Sequence, residues 1–428
     1  MSRQTAQPVD LVLIGKAYLD RGFTNVAIAV DEGKIVAVSK PSLAPPSVAR
    51  VEYGEKFLLL PGMVDIHVHL REPGLEYKED WRSGSRSAVK GGVTMVVDMP
   101  NNVPPANTCE RLLEKKRRAS EKSLVDFAFY AGFNPEVERL GDCKDLFVGF
   151  KLYPEDLYSP AASRVFSYAS MTGFPVVVHA ENPLLFRSSG VHNEARPPEA
   201  EGSAVEHAIG LARESGAWLH VTHLSTGVAL RRVLEAKISG GIRVTFDVTP
   251  HHLLLTEELY RTSKRRIAVV NPPLRSEADR ATIYAALKAG LPDAVVTDHA
   301  PHALEEKLSS DPKPGFPGLE LALHLLLREI LAKRLNIDVL DLYSRKPATL
   351  LGVEKGRLAP GYEGDVVVVS LEEWVVRSEE LESKAKYTPF EGWILPTKTY
   401  AVYIRGEPVY VAGQFMREGG GRLAVSRG

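Results

Sequence analysis

The alternation of strand-like and helix-like segments between residues 57 and 354 is the feature that most constrains the fold of this chain. The segments between the apolar runs, such as TCERLLEKKRRASEK, have the periodicity of amphipathic helices. We count eight apolar runs: FLLLPGMVDIHVHL, VTMVVDM, VDFAFYAGF, LFVGFKLY, FPVVVHA, AWLHVTHL, IRVTFDVT and AVVTDHA. Eight buried parallel strands alternating with helices indicate a (β/α)8 TIM barrel, whose active site lies at the carboxyl ends of its strands.

The two ends of the chain have a different texture. Short alternating strands separated by turn residues occupy residues 8–60, and similar strands return in GDVVVVSLEE and TKTYAVYIRGEPVYVAGQ. We therefore expect an α/β fold with two parts. The barrel covers residues 57–354, and residues 1–56 and 355–428 together build a small flanking β-sandwich.

Polar residues stand at the carboxyl ends of five of the predicted barrel strands. His67 and His69 end the first strand as an H-x-H pair and share one face, because side chains alternate along a strand. The others are Lys151 on strand 4, His179 on strand 5, His223 on strand 6 and Asp298 on strand 8. Histidine and carboxylate ligands favour a catalytic divalent ion such as Zn²⁺ over a closed, cysteine-rich site. On chemistry alone, a salt bridge at the barrel rim is the preferred role for Lys151, because a free ammonium group cannot ligate a metal ion.

Longer strings around these positions resemble the dihydroorotases, which are binuclear amidohydrolases of the urease type. The strings are DIHVHLREPG, VVDMPNN, KLYPED, VHAEN, VTHLST, VNPPLR, TDHAPH and PGFPGLE. The resemblance covers roughly the whole chain, and KLYPED and PGFPGLE are most similar to the dihydroorotase domain of the animal multifunctional pyrimidine enzyme. It implies two Zn²⁺ or similar divalent ions per subunit and an N6-carboxylated Lys151 that bridges them. The remaining ligands are expected to be His67, His69 and Asp298 on one ion and His179 and His223 on the other.

The resemblance also implies an activity, the reversible cyclisation of N-carbamoyl-L-aspartate to L-dihydroorotate in de novo pyrimidine biosynthesis. The expected nucleophile in the hydrolytic direction is a hydroxide held between the two ions. Asp298 would act first as general base and then as general acid. Ring closure consumes a proton, so lower pH should favour dihydroorotate.

The substrate carries a carboxylate, and Arg71 is a candidate to bind it. Arg71 lies two residues after His69 on the same strand face, and its planar guanidinium suits a bidentate carboxylate contact. The simpler alternative is that Arg71 pairs with Glu72 or Glu76 at the surface.

Further substrate contacts follow from the resemblance. In the family, the positions that match Asn101 and His302 bind the same carboxylate. Those that match Asn271 and the backbone at Pro314 and Gly315 contact the pyrimidine ring. Asn101 follows the second strand, where closing a turn is its simpler role.

Two other functions compete with this one. Hydantoinases, dihydropyrimidinases and allantoinases share the barrel, the metals and the cyclic-amide chemistry, but their substrates lack the carboxylate. Greater activity on hydantoin or allantoin than on dihydroorotate would favour them. Some dihydroorotase-like chains are non-catalytic scaffolds for aspartate transcarbamoylase, but here every expected ligand position is filled. A homodimer and an association with aspartate transcarbamoylase in addition to catalysis stay open.

Composition indicates which partners and which cellular location to expect. A net charge of −1 does not indicate a nucleic acid or an anionic membrane as partner. No apolar run approaches the roughly 20 residues of a membrane helix, and MSRQTAQPVD lacks the pattern of a signal peptide. Cys109 and Cys143 do not make a disulfide framework, so we expect a reducing, cytoplasmic location.

Overall fold

A barrel of eight parallel strands forms the centre of the computed structural model, which describes residues 7–20 and 22–425. The strands are almost wholly buried because one face lines the barrel interior and the other packs under helices. They are Met63–Val68, Val93–Asp98, Asp126–Phe129 continued by Ala131–Gly132, Phe150–Leu152, Val176–Val178, Leu219–Val221, Val244–Val248 and Ala294–Val295. A parallel bridge between Val68 and His299 joins the first strand to the last and closes the barrel.

Helices follow the strands and cover the barrel. The longer ones are Trp81–Lys90, Cys109–Lys122, Ala162–Thr172, Pro198–Ser215, Gly227–Ser239, Glu277–Lys288, Ala322–Leu331 and Arg345–Leu351. A 3-10 segment, Val137–Leu146, takes the helix position between the third and fourth strands. Four short helices lie in the loops after the strands: Pro154–Leu157, His192–Ala195, Pro250–Leu254 and Leu304–Leu308. Within residues 7–20 and 22–425, no helix is long and apolar enough to cross a membrane.

Local sequence signals set where several helices begin. The side chains of Asp80, Thr108, Thr226 and Ser276 each accept a hydrogen bond from a backbone N–H in the first turn of the helix that follows. These residue types are preferred at that position because they satisfy amides that have no partner inside the helix. The start of these four helices is therefore encoded by a residue that stands directly before each of them.

Both ends of the chain contribute to one nine-stranded sheet beside the barrel. Its strands are Val9–Leu19, Gly22–Asp31, Lys34–Ser39, Ser47–Glu52, Phe57–Pro61, Val366–Ser370, Lys398–Ile404, Glu407–Val411 and Gln414–Phe415. The strand Phe57–Pro61 joins the two halves, because it pairs in parallel with Val9–Leu19 and antiparallel with Val366–Ser370. The fold class is the predicted one, an α/β barrel with a flanking β domain. The strands of both chain ends form a single nine-stranded sheet, where the sequence predicted a β-sandwich.

The first apolar run is two strands, although its pattern predicted one. Phe57–Pro61 belongs to the flanking sheet, and Met63–Val68 begins the barrel. Gly62 separates them at a point where the backbone passes close to the second barrel strand. A Cβ atom on Gly62 would lie 2.1 Å from Thr94 Oγ1, so only glycine allows this approach.

Cys109 and Cys143 form a disulfide bond with each other, contrary to the expectation from the sequence. Cys109 begins the second long helix, and Cys143 lies in the 3-10 segment that packs beside it. Their Cα atoms are 5.7 Å apart, within the range that a disulfide spans. A separation of 34 residues along the chain gave no sign of this contact. The inference of a reducing compartment from unbonded cysteines therefore loses its basis.

A buried ion network joins the barrel to the flanking sheet. The Nζ atom of Lys355 lies 2.6 Å from the carboxylates of Asp126 and Glu363. It lies 2.8 Å from Asp365, and Arg405 also pairs with Asp126, at 2.5 Å. Burial lowers the pKa of Lys355, but the three carboxylates more than offset this and raise the pKa above its usual range. The cost of burying one ammonium is thus offset by three partners at the junction.

Replacing the central cation should weaken the fold. We predict that Lys355→Met lowers the free energy of unfolding by about 3–5 kcal/mol, because it leaves buried carboxylates without their partner. Chemical denaturation at neutral pH measures this. The matched control is Lys34→Met, which breaks an exposed pair with Glu354 and should cost about 0–1 kcal/mol. Equal losses in the two variants would contradict the prediction.

Candidate active site

A cavity of about 370 Å³ opens at the carboxyl ends of the barrel strands. It contains most of the residues that the sequence pointed to. Those in its lining are His67, His69, Arg71, Asn101, Lys151, His179, His223, Asn271, Asp298, His302 and Pro314. Gly315 follows Pro314 in the chain and is not part of the lining. The strand ends thus bring residues from distant parts of the sequence to one place.

The pairing of the first and eighth strands places two histidines beside one aspartate. The backbone N–H of His69 donates to the carbonyl of His299 at 2.8 Å, which sets the register between the two strand ends. The Nε2 atoms of His67 and His69 lie 3.3 Å and 3.2 Å from Asp298 Oδ1. One ligand atom from each of these three buried residues lies within 4.8 Å of the others. This arrangement is able to hold a metal ion.

The histidines of the cavity are held in the form that binds metals. Burial lowers the pKa of His67, His69, His179 and His223. Neighbouring positive groups lower the pKa of His67 further, whereas Asp298 partly offsets the effect at His69. A neutral imidazole has a free ring nitrogen, and this is the form that ligates a metal.

The second half of the site contains buried polar atoms with no partner. The rings of His179 and His223 meet edge to face with centroids 4.5 Å apart. Among the described residues, His223 Nδ1 and Lys151 Nζ make no hydrogen bond although both are fully buried. Burial lowers the pKa of Lys151 to about 7. The salt bridge at the rim, the simpler role for Lys151, is absent from residues 7–20 and 22–425, and the unpartnered atoms fit a metal site.

Three site residues have backbone angles that are uncommon for residues with a side chain. Arg71, His223 and Asp298 have φ angles of +66°, +42° and +48°. The left-handed region is sterically unfavourable for such residues, and strained backbone of this kind concentrates at functional sites. The strain lies at the carboxyl ends of the first, sixth and eighth strands, where each chain turns out of the barrel.

Arg71 is a buried cation without a carboxylate partner among the described residues. Its Nε atom donates to the carbonyl of Pro301 at 3.0 Å. No carboxylate oxygen within the described ranges lies within 4.0 Å of its guanidinium, and burial lowers its pKa. Glu72 and Glu76 both pair with Arg118 instead, at 3.3 Å and 3.0 Å, so the surface-pair alternative for Arg71 is wrong.

His302 lies against this guanidinium in the neutral form. Its Nε2 atom is 3.1 Å from Arg71 Nη2 and 3.0 Å from the carbonyl of Pro314. Lys78 Nζ donates to its Nδ1 atom at 3.2 Å, which leaves the proton on Nε2. Burial and the nearby positive charges of Arg71 and Lys78 lower the pKa of His302 to about 2. Glu306 pairs with Lys78 at 3.1 Å, so Arg71 is the cation at His302 that has no carboxylate partner among the described residues, and it suits an anion.

The two predicted asparagines are held by histidines. His69 donates from Nδ1 to the Oδ1 atom of Asn101 at 2.7 Å, so Asn101 orients a candidate metal ligand. His192 donates from Nε2 to the Oδ1 atom of Asn271 at 2.9 Å. Both asparagines line the cavity.

Sequence reasoning missed a carboxylate that orients His179. Glu181 is fully buried and accepts a hydrogen bond from His179 Nε2 at 2.6 Å. Arg196 holds the same carboxylate from the other side, with Nη2 at 2.6 Å. Arg275 donates to the carbonyl of Arg196, and Glu201 accepts from the backbone of the loop after the sixth strand. The two-residue spacing of histidine and glutamate in VHAEN was the signal that could have found Glu181.

Two further aspartates within the strands were also missed. Asp65 accepts hydrogen bonds from the backbone of Thr297 and of His67, and so ties the eighth strand to the first. Asp247 accepts from Thr222, whose hydroxyl contacts His67 Nδ1. Groups of this kind fix the orientation of metal-binding histidines. Their signal was a single acidic residue inside the apolar runs VDIHV and TFDVT.

Comparisons with known proteins agree with this geometry. Residues 58–409 match the family described as Amidohydrolase family. A dihydroorotase of Methanothermobacter thermautotrophicus is 36% identical, over 94% of this chain and 95% of the relative. A dihydroorotase of Pyrococcus abyssi is 34% identical, over 98% of this chain and all of the relative.

Solved structures have the same fold. An L-hydantoinase (dihydropyrimidinase) of Arthrobacter aurescens superposes with a TM-score of 0.90 at 27% identity, over 98% of this chain and 100% of that one. A dihydropyrimidinase of Brevibacillus agri gives a TM-score of 0.87 at 25% identity, over 96% and 98% of the two chains. The barrel, its polar strand ends and these relatives together lead to one conclusion. The chain belongs to the amidohydrolase family and, within it, to the dihydroorotases.

Proposed function

We propose that the cavity interconverts L-dihydroorotate and N-carbamoyl-L-aspartate, the ring-closing step of de novo pyrimidine biosynthesis. The observation that carries this proposal is the buried guanidinium of Arg71, which has no acidic partner in the described part of the chain and lies beside the histidine and aspartate cluster. A buried cation of this kind favours an anionic ligand group. The ring carboxylate of dihydroorotate is such a group, next to a cyclic amide that the cluster can reach.

The amidohydrolase family is generally metal-dependent, and the donor set fits two divalent ions such as Zn²⁺. His67, His69 and Asp298 would hold one ion, and His179 and His223 the other. Bound ions of this type lower the pKa of a coordinated water to about 7 and polarise a carbonyl. The Lys151 Nζ atom and the His223 Nδ1 atom, both without a partner among the described residues, support this assignment more directly than the residue types do.

Lys151 would join this set after reaction with carbon dioxide. Its lowered pKa, about 7, leaves part of the population as the free amine at neutral pH. The amine lone pair forms a bond to the carbon of CO₂ and the nitrogen releases a proton, which leaves a carbamate anion. The product replaces a buried cation with an anion that can bridge two metal ions, so the same residue suits the site only in its N6-carboxylated form.

The roles of the protein side chains follow from their positions. Asp298 Oδ1 lies beside both histidines of the first strand, where it can hold the proton of the attacking water. It then delivers that proton to the departing ring nitrogen. Arg71, with His302 and Asn101, holds the substrate carboxylate and thereby directs the ring towards Asp298. Asn271 and the backbone at Pro314 and Gly315 complete the ring-binding side.

A hydantoinase or dihydropyrimidinase is the second candidate, because solved structures with those activities share the fold. Hydantoin and dihydropyrimidines lack the carboxylate that Arg71 would bind, so relative activity on the two substrate classes separates the candidates. A non-catalytic scaffold role does not explain a filled ligand set. A homodimer, an association with aspartate transcarbamoylase and a cytoplasmic location stay predictions.

Arg71→Met tests the substrate assignment. Losing a buried charge-assisted contact costs about 2–5 kcal/mol, by analogy with pairs at protein interfaces. This corresponds to roughly one to four orders of magnitude in kcat/KM on dihydroorotate. The control is an uncharged dihydropyrimidine, on which the same change should cost far less. Equal proportional losses on both substrates would contradict a role for Arg71 in carboxylate binding.

Asp298→Asn tests the proton transfer. The change keeps the size of the side chain but removes the proton acceptor, so kcat should fall at least about 10²–10⁴-fold. Metal content must be measured in parallel, since Asp298 is also a proposed ligand. Near-normal turnover in a variant that retains its metals would refute the role.

Lys151→Ala tests the carboxylated lysine. Without the bridging carbamate, bound divalent metal should fall from two ions per chain, and turnover should fall with it. Incubation of the parent with ¹³C-labelled bicarbonate should give a carbamate signal in the carbon NMR spectrum that the variant lacks. The matched control is Lys144→Ala, which removes an exposed lysine and should retain both the metals and the signal. A parent with two bound ions and no carbamate signal would contradict the proposal.

A further inference from the structure

Lys307, like Arg71, is a buried cation near the substrate side of the cavity. It lies in the short helix Leu304–Leu308, and its side chain has no exposed surface. In residues 7–20 and 22–425, no carboxylate lies within 4.0 Å of its Nζ atom. Burial lowers its pKa well below the usual range. A lysine of this kind is costly, so its presence calls for a role that an apolar residue cannot fill.

The partners of Lys307 are three backbone carbonyls. Its Nζ atom donates to Val269 at 2.5 Å, to Gly315 at 2.7 Å and to Lys313 at 2.9 Å. Three acceptors match the three N–H donors of an ammonium group. The rings of Tyr387 and Phe316 lie 5.7 Å and 5.9 Å away and add a weaker attraction for the charge.

These carbonyls belong to two segments that both carry proposed substrate contacts. Val269 lies two residues before Asn271, and the other two acceptors lie on either side of Pro314. The Val269 carbonyl also accepts the backbone N–H of Gly315 at 2.9 Å, so the segments meet at this point. Lys307 therefore crosslinks the strand-7 loop to the loop after the eighth strand.

The second of these loops has little room to adjust. Gly315 has a φ angle of +129°, and a Cβ atom there would lie 2.4 Å from the carbonyl oxygen of Ala300. Tyr387 donates to the Gly315 carbonyl at 3.2 Å, and the Pro314 carbonyl contacts His302 at 3.0 Å. Close packing and hydrogen bonds therefore fix the backbone at Pro314 and Gly315. Lys307 donates to the carbonyls on both sides of Pro314, those of Lys313 and Gly315.

We propose that Lys307 is a positioning residue that holds the loop at Pro314 and Gly315 against the segment carrying Asn271, and so shapes the ring-binding side of the substrate site. This inference rests on the proposed function and deepens it. Lys307 contacts none of the candidate metal ligands, so its effect is on substrate binding rather than on the metals or on proton transfer.

Lys307→Met, made in the full chain, tests the proposal. Methionine has a similar length, is apolar and fits a buried position, but it cannot donate to the three carbonyls. We expect KM for dihydroorotate to rise on the order of tenfold, equivalent to losing one net hydrogen bond from a charged group. The value of kcat and the metal content should change little. Amide exchange of a peptide covering residues 309–317 should become faster, whereas a peptide covering residues 81–90 should be unaffected.

The matched control is Lys355→Met, which removes another buried lysine at the barrel and sheet junction, outside the cavity lining. It should lower stability and leave KM unchanged. An unchanged KM in Lys307→Met would overturn the proposal, and so would an equal rise in KM in both variants, since that would indicate a general loss of stability.

Two further measurements keep the proposal testable. If Lys307→Met does not fold, Lys307→Gln retains two N–H donors and should give a folded protein with a smaller rise in KM. In the parent, the backbone amides of Lys313 and Gly315, which donate to Glu306 and Val269, should exchange slowly, and fast exchange there would overturn the proposal. If the parent does not turn over dihydroorotate, the proposed function fails, while the exchange comparison between the parent and the variants still decides whether Lys307 positions the loop.

Discussion

The pairing of the first barrel strand with the eighth is the interaction on which the site depends. Val68 pairs with His299, and Asp65 bonds to the backbone of Thr297 across the same junction. This closure brings the H-x-H pair within 3.3 Å of an aspartate that follows His69 by 229 residues. Without it the histidines would lie on an open sheet edge, far from the only acidic ligand predicted for them. Closing the barrel and assembling the candidate metal site are therefore one structural event.

Around that closure, the chain buries cations in two different ways. Lys115 is paired with Asp98 at 2.7 Å, and Lys355 has three carboxylates around it. Arg71, Lys151 and Lys307 lie equally deep and have no carboxylate partner among the described residues. Leaving a buried charge unpaired lowers stability, so these positions conflict with optimal folding. In the proposed function, a substrate carboxylate would pair with Arg71, and carboxylation would convert Lys151 into an anion. At Lys307, hydrogen bonds to the carbonyls of two loops offset the cost of burial. Hydantoinases have the same barrel, so the fold does not distinguish their substrates from dihydroorotate. Side chains of the site, above all Arg71, are what can distinguish them.

Much of the architecture follows from local sequence. The eight apolar runs predicted the barrel, and the polar residues at the ends of five of them supplied the candidate ligands, because strand alternation and strand ends are local properties. The β texture at both chain ends predicted the flanking module for the same reason. Local pattern was less reliable where two elements meet without a turn. The break at Gly62 depends on the approach of Thr94 from another strand, which no window of sequence around residue 62 contains.

The amino-acid sequence by itself determined the barrel, the polar strand ends and the candidate ligand set, since each can be read within one strand and its loop. Only the tertiary structure decided which groups partner one another. It joined Cys109 to Cys143 and paired Glu72 and Glu76 with Arg118. Arg71 has no carboxylate partner within the part of the chain that the structure describes. The tertiary structure also surrounded Lys307 with backbone carbonyls, which have no sequence signature because every residue carries one. Partner choice depends on distances across the fold, and those distances exist only once the barrel has closed.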